Sequence, residues 1–103
     1  MFRMTKLERH AEQLAALGNP VRLQILRHVV QAGEMGSIVG DIQAKLAIPW
    51  STLSHHLERL AESGLLVATP DGRYIHYRAD YRTLRSLTDY LWEDCCKGGN
   101  GCC

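Results

Sequence analysis

Residues 47–64 read AIPWSTLSHHLERLAESG, and the register of their leucines decides the fold. Leu53, Leu57 and Leu60 recur at spacings of four and three, which marks one helical stripe turned toward a core. Ala47 and Ile48 lead into the helix-breaking Pro49, so a helix starts just after it, and Gly64 supplies the stop. With the leucines inward, Ser51, Thr52, His55 and Arg59 point outward, with Glu58 and Glu62 beside them. Trp50 falls on the apolar side and reads as core or turn packing. His56 stands on the flank, where a bond to the scaffold competes with an outward role.

Working outward, the stretch before the turn, IVGDIQAKL, spaces Ile38, Ile42 and Leu46 four apart and reads as a partner helix. Further upstream, Thr5 and Glu8 have the spacing of a capping box, and Leu7, Ala11 and Leu14 repeat along one face until Gly18. Asn19 then caps a second helix with Pro20 at its first position, Ile25, Leu26, Val29 and Val30 inside, and Gly33 at its end. Downstream the period changes. LLVATPDGRYIHYRAD places β-branched and aromatic residues on both sides of an Asp-Gly turn, a hairpin signal. Asp80 caps a last helix that carries Leu84, Leu87 and Leu91. Four helices, a hairpin and a helix make a mainly α winged helix-turn-helix.

The totals agree with one domain. The chain has 103 residues, 46% of them hydrophobic and 22% charged, enough to bury a core. No apolar run approaches the roughly 20 residues that span a bilayer. MFRMTKLERH lacks the apolar stretch of a secretion signal, so the expected location is the cytoplasm and no membrane partner is expected. A net charge of +1 allows nucleic-acid binding if the basic groups share one face.

A helix, a three-residue turn, a second helix and then a hairpin place the second helix in a major groove of double-stranded DNA. The candidate DNA contacts are therefore Ser51, Thr52, Ser54, His55, His56 and Arg59, together with Arg73 at the hairpin tip. Small hydroxyls and ring nitrogens suit base edges and phosphates alike, whereas Glu58 and Glu62 would repel phosphate and tilt the helix end outward.

ALGNPVRLQIL, STLSHHLERLAESGLL and GRYIHYR, in that order, make residues 8 to 94 resemble the ArsR/SmtB family of metal-responsive bacterial repressors. The resemblance implies a homodimer joined through the first and last helices, with Leu7, Ala11, Leu14, Leu84, Leu87 and Leu91 along the seam. It implies operator binding, and release when a metal ion or metalloid is bound. Arsenic-responsive relatives often carry Cys-x-Cys in the first helix of the helix-turn-helix, where this chain has Ile38 and Gly40. Zinc-responsive relatives use Asp, His and Glu along the last helix, which here contains no histidine.

What remains is CCKGGNGCC, residues 95–103, which holds all four cysteines of the chain. We read residues 1–94 as the DNA-binding and dimerisation domain and 95–103 as a flexible metalloid-binding tail. In a reducing compartment clustered thiols are more often ligands or redox groups than structural disulfides. Trivalent arsenic (arsenite), and antimonite with it, takes three thiols, expected from Cys95, Cys96 and Cys102, with Cys103 as substitute. Adjacent Cys95 and Cys96 would point about 100° apart on a regular helix, so the helix must unwind there. Alternatives are a methylarsenite sensor using two thiols, a Cd, Pb or Zn sensor using the same cysteines, a disulfide switch, or an apolar contact by Cys95. No catalytic site is expected. A thiol enzyme would need a phosphate-cradling loop or a nearby histidine, and neither accompanies these cysteines.

Overall fold

Among residues 3–99, which the computed structural model describes, three of the five helices begin at a side chain that caps them. The elements run α1 Lys6–Leu17, α2 Pro20–Ala32, β1 Ser37–Ile38, α3 Val39–Leu46, α4 Trp50–Glu62, β2 Leu66–Asp71, β3 Tyr74–Ala79 and α5 Tyr81–Trp92. At α1 the Thr5 hydroxyl accepts from the Glu8 N–H and the Glu8 carboxylate accepts from the Thr5 N–H, both at 3.0 Å. That bond to the Thr5 backbone, with the one to its hydroxyl, holds the Glu8 carboxyl below the usual range. Asn19 accepts from the N–H groups of Val21 and Arg22, and Asp80 from that of Thr83. Each such cap is worth about 1 kcal/mol.

The helices pack because their apolar stripes meet. Ile25, Val29, Ile42, Leu53, Leu57, Leu60 and Leu65 are the largest side chains wholly withdrawn from water. Ala16 of α1 and Leu87 of α5 close the same core. Burying a residue of this kind stabilises the fold by about 1.5–3 kcal/mol, so this cluster dominates. No helix among the described residues is long and apolar enough to cross a membrane.

The expected winged helix-turn-helix is present, with one addition. The sheet has three antiparallel strands in the order β1-β3-β2, Ser37 facing Tyr77 and Ile38 facing His76. Ile38, read from the sequence as the start of a helical stripe, is therefore a strand residue, and α3 begins at Val39. A two-residue strand leaves no period to detect. Its approach depends on Gly36, whose φ is +71° and whose Cβ, if present, would lie 2.3 Å from the Tyr77 carbonyl oxygen. The hairpin turn also shifts by one residue. Asp71 pairs with Tyr74, so the loop is Gly72-Arg73 rather than Asp-Gly, with Gly72 at φ +62° in the first loop position. A positive φ there suits the type II′ turn, whose twist matches the strands.

Gly36→Ala is expected to lower unfolding free energy by about 2–3 kcal/mol, from left-handed strain and collision with β3 backbone. Thermal denaturation followed by circular dichroism checks this, and an unchanged midpoint would refute it.

Candidate nucleic-acid interface and thiol site

Three buried leucines set the rotation of α4, and its other faces follow from them. Ser51, Thr52, Ser54 and His55 are exposed, as expected for groups that read DNA, while His56 and Arg59 are half-buried. Trp50 corrects the sequence reading. At 57% exposure it is not core: it lies one turn before Leu53, past the edge of the packed layer. The N-cap position is Pro49, which offers no side-chain bond to the first turn.

Two ties hold the flank of α4 to the scaffold. Arg59 pairs with Glu12 of α1, so its guanidinium, expected to face DNA, is engaged within the protein. Its partner is 47 residues away in sequence, which no local pattern reveals. The second tie runs through Arg22, whose Nε donates to the Ala16 carbonyl at 2.6 Å and whose guanidinium lies 3.4 Å from His56 Nδ1. Arginine only donates, so that nitrogen accepts and the ring is neutral. Burial, then Arg22, then His55 push the His56 pKa down, in agreement. At the far end of the hairpin Arg73 is exposed at the loop tip.

The expected seam residues divide. Leu7 and Leu91 are 63% and 59% exposed, and Leu14 and Ala11 are exposed as well. Leu84 is half-buried against the core. Leu87, at 2% exposure, belongs to the core of its own protomer and is unavailable to a seam. Exposed Trp92, which the sequence reading passed over, stands next to Leu91. Beneath this surface α1 is joined to α5. His10 is buried and stacks on Tyr90 at 4.2 Å between centroids with the rings 3° from parallel. Its Nδ1 donates to the Lys6 carbonyl at 2.7 Å. Lys6 Nζ in turn meets Glu93 at 3.0 Å, and lies 5.5 Å from the Tyr90 centroid.

Immediately beyond Glu93 the helix comes undone. Asp94 and Cys96 take φ of +58° and +67°, in the left-handed region. The turn leaves Cys95 Sγ 3.4 Å from Cys96 Sγ, which a regular helix would have splayed apart. Cys102 and Cys103 lie outside the described residues. Among the described ones no group of three or more His, Cys, Asp or Glu side chains is placed to hold a metal ion.

The neutral His56 has a measurable consequence. Its folded pKa lies below the ordinary value of about 6.5, so the unfolded chain binds more protons between the two. Stability is full above about pH 6.5 and falls as pH drops through the lowered value. His56→Gln keeps an acceptor for Arg22 without that titration. The wild-type melting temperature should therefore fall more steeply from pH 7 to 5 than the variant's; parallel profiles would refute this.

Comparison with known proteins completes the picture. A family model described as a helix-turn-helix domain matches residues 17–68. The chain is 38% identical over 74 residues to an uncharacterized HTH-type transcriptional regulator of Methanocaldococcus jannaschii, covering 72% of this chain and 81% of that one. It is 33% identical over 79 residues to a Halobacterium salinarum protein named as an arsenical resistance operon repressor, ArsR2, covering 74% and 66%. Among solved structures it is similar to an ArsR-like transcriptional regulator from Rhodococcus sp. RHA1, with 26% identity, TM-score 0.69 and coverage of 81% and 76%. The homodimeric winged helix-turn-helix DNA-binding domain of a Mycobacterium bovis protein, at 24% identity, TM-score 0.67 and full coverage of both chains, shares the fold. These relatives are transcriptional regulators rather than enzymes, and the chain belongs with them to the ArsR-type family of winged helix-turn-helix transcriptional regulators.

Proposed function

We propose that this protein is an arsenite-responsive transcriptional repressor. It binds operator DNA as a homodimer and leaves it when Cys95, Cys96 and a third tail thiol, Cys102 or in its place Cys103, take up the metalloid. Residues 1–94 supply DNA binding and dimerisation, and 95–103 the effector site. The observation that carries this reading is that all four cysteines of the chain gather in residues 95–103, just past an unwound end of α5 where Cys95 and Cys96 adjoin. Trivalent arsenic bonds three sulfurs and keeps a lone pair, and this cluster holds enough cysteines to supply three. Each S–As bond forms as an As–OH bond breaks, and the thiol proton leaves with that hydroxide as water.

Support for the dimer comes from the exposed apolar side chains Leu7, Leu14, Leu91 and Trp92 on the two terminal helices, an expensive surface to leave in water. The ArsR2 relative, named for arsenical resistance, favours a metalloid effector. Base and phosphate contacts fall to Ser51, Thr52, Ser54, His55 and Arg73, with His56 and Arg59 positioning the helix from its flank. Whatever affinity for DNA the effector removes, DNA must remove from effector binding. The paired thiols alone favour one second reading, a methylarsenite sensor, because a methyl group occupies one arsenic bond and two thiols then suffice.

Fluorescence anisotropy of reduced protein on its own upstream DNA tests this. Cys95→Ser or Cys96→Ser should raise the arsenite concentration for half-release at least about tenfold, which corresponds to about 1.4 kcal/mol of coupling, with effector-free DNA affinity unchanged. Loss of one of the last two cysteines, Cys102 or else Cys103, should do the same to arsenite release, and loss of the other should not. If methylarsenite alone acts, and acts with Cys95 and Cys96 only, the second reading replaces the first. Release by cadmium, lead or zinc that needs all four thiols would overturn both.

A further inference from the structure

We propose that Trp50 is a DNA-contacting specificity residue whose indole covers the C5-methyl group of a thymine in each operator half-site. The inference rests on the DNA-binding reading of α4 but is independent of the effector. Single exposed apolar residues are common and need no explanation. Trp50 differs by position. It is the first residue of the 13-residue α4, the end of a recognition helix that reaches base edges. By angle it stands about 20° from buried Leu57 and about 40° from exposed Ser54, so its exposure comes from its place at the very start of the helix, beside Ser54, rather than from its angle. Its exposed neighbours on α4, Ser51, Thr52, Ser54 and His55, are all polar or titratable. Trp92, the chain's other tryptophan, lies instead beside exposed Leu91 on α5, where the dimer reading covers it.

What covers Trp50 must then be apolar and present in the groove. Hydroxyls and imidazoles read donors and acceptors, but the major groove has one apolar feature, the thymine methyl. An indole is mostly carbon, with one N–H donor free to find a nearby acceptor or water. Trp50 thus adds a preference for thymine that the polar residues of α4 do not supply.

The test uses the full-length dimer and a duplex selected by the wild-type protein from a random-sequence pool. Each thymine is replaced in turn by deoxyuridine, which removes only the methyl group. At one thymine per half-site the wild type should lose about fourfold in affinity, the value of one buried methyl, while Trp50→Ala loses nothing further. Trp50→Ala itself should bind the unmodified duplex at least about fivefold more weakly, and Trp50→Phe should recover part of that. Unchanged affinity of Trp50→Ala, or equal deoxyuridine losses in both proteins, would overturn the proposal. So would a melting temperature of Trp50→Ala lowered by many degrees, since the indole would then be core. Failure of the wild-type protein to select any duplex would overturn the DNA-binding reading, and this inference with it.

Discussion

Leu53, Leu57 and Leu60 seat α4 in the core, and nearly everything that α4 presents to the outside depends on that seating. Each leucine is withdrawn from water, and cutting any one back to alanine costs about 2–5 kcal/mol because the site cannot fully collapse. A helix held at three points along one stripe cannot roll. Ser51, Thr52 and His55 therefore keep one direction without any bond of their own, and the flank residues find fixed partners: Arg59 with Glu12, His56 with Arg22. Polar ties of this sort add little net energy. Their effect is to remove the remaining freedom of a helix whose apolar stripe has already chosen its angle.

The same helix that holds Arg59 also reaches the thiols. Lys6 and Glu12 are six residues apart on α1, about 9 Å along its axis. At one end Lys6 meets Glu93, two residues before Cys95; at the other, Glu12 meets the recognition helix. The Lys6–Glu93 pair is largely solvent-exposed and contributes at most about 1 kcal/mol. In the His10–Tyr90 stack beneath it the imidazole is buried and the tyrosine half-buried, and the closely parallel rings carry the stiffness of this joint. A displacement of the last turn of α5 cannot leave α1 untouched, since Tyr90 sits in that turn. On the repressor reading, this gives the effector a continuous packed route to α4.

Much of this was legible in the sequence because it is written in local chemistry. Thr5 with Glu8, Asn19 with Pro20, and Asp80 each announce a helix start, and each forms the expected cap. The leucine stripe of α4 is likewise periodic. What escaped has one of two causes. Trp50 sits at an angle that matches an inward stripe, yet it is exposed. A helical wheel gives angle and says nothing of depth along the axis, and Trp50 lies where its helix runs past the core. Leu87, expected in the seam, is the converse: the right angle at a depth where the core is still present. The second cause is sequence distance. Arg59 with Glu12, β1 with β3 and the need for glycine at Gly36 arise only when segments far apart in the chain meet.

The placement of the thiols follows from what a helix end can do. Two adjacent cysteines within a helix diverge, and bringing them together there would melt ordered turns on either side. At the end of α5 the divergence is removed by placing Asp94 and Cys96 in the left-handed region, at roughly 1–2 kcal/mol for each such residue. On the proposed arsenite reading, an effector that bonds both sulfurs would act on the terminal turn next to Glu93 and Tyr90, rather than unfolding the helix first. A thiol pair displaced by two or three turns into α5 would have to break the Leu84 and Leu87 packing before it could close on one atom. On that reading the end of the helix is where chelation and displacement of α5 would be one event.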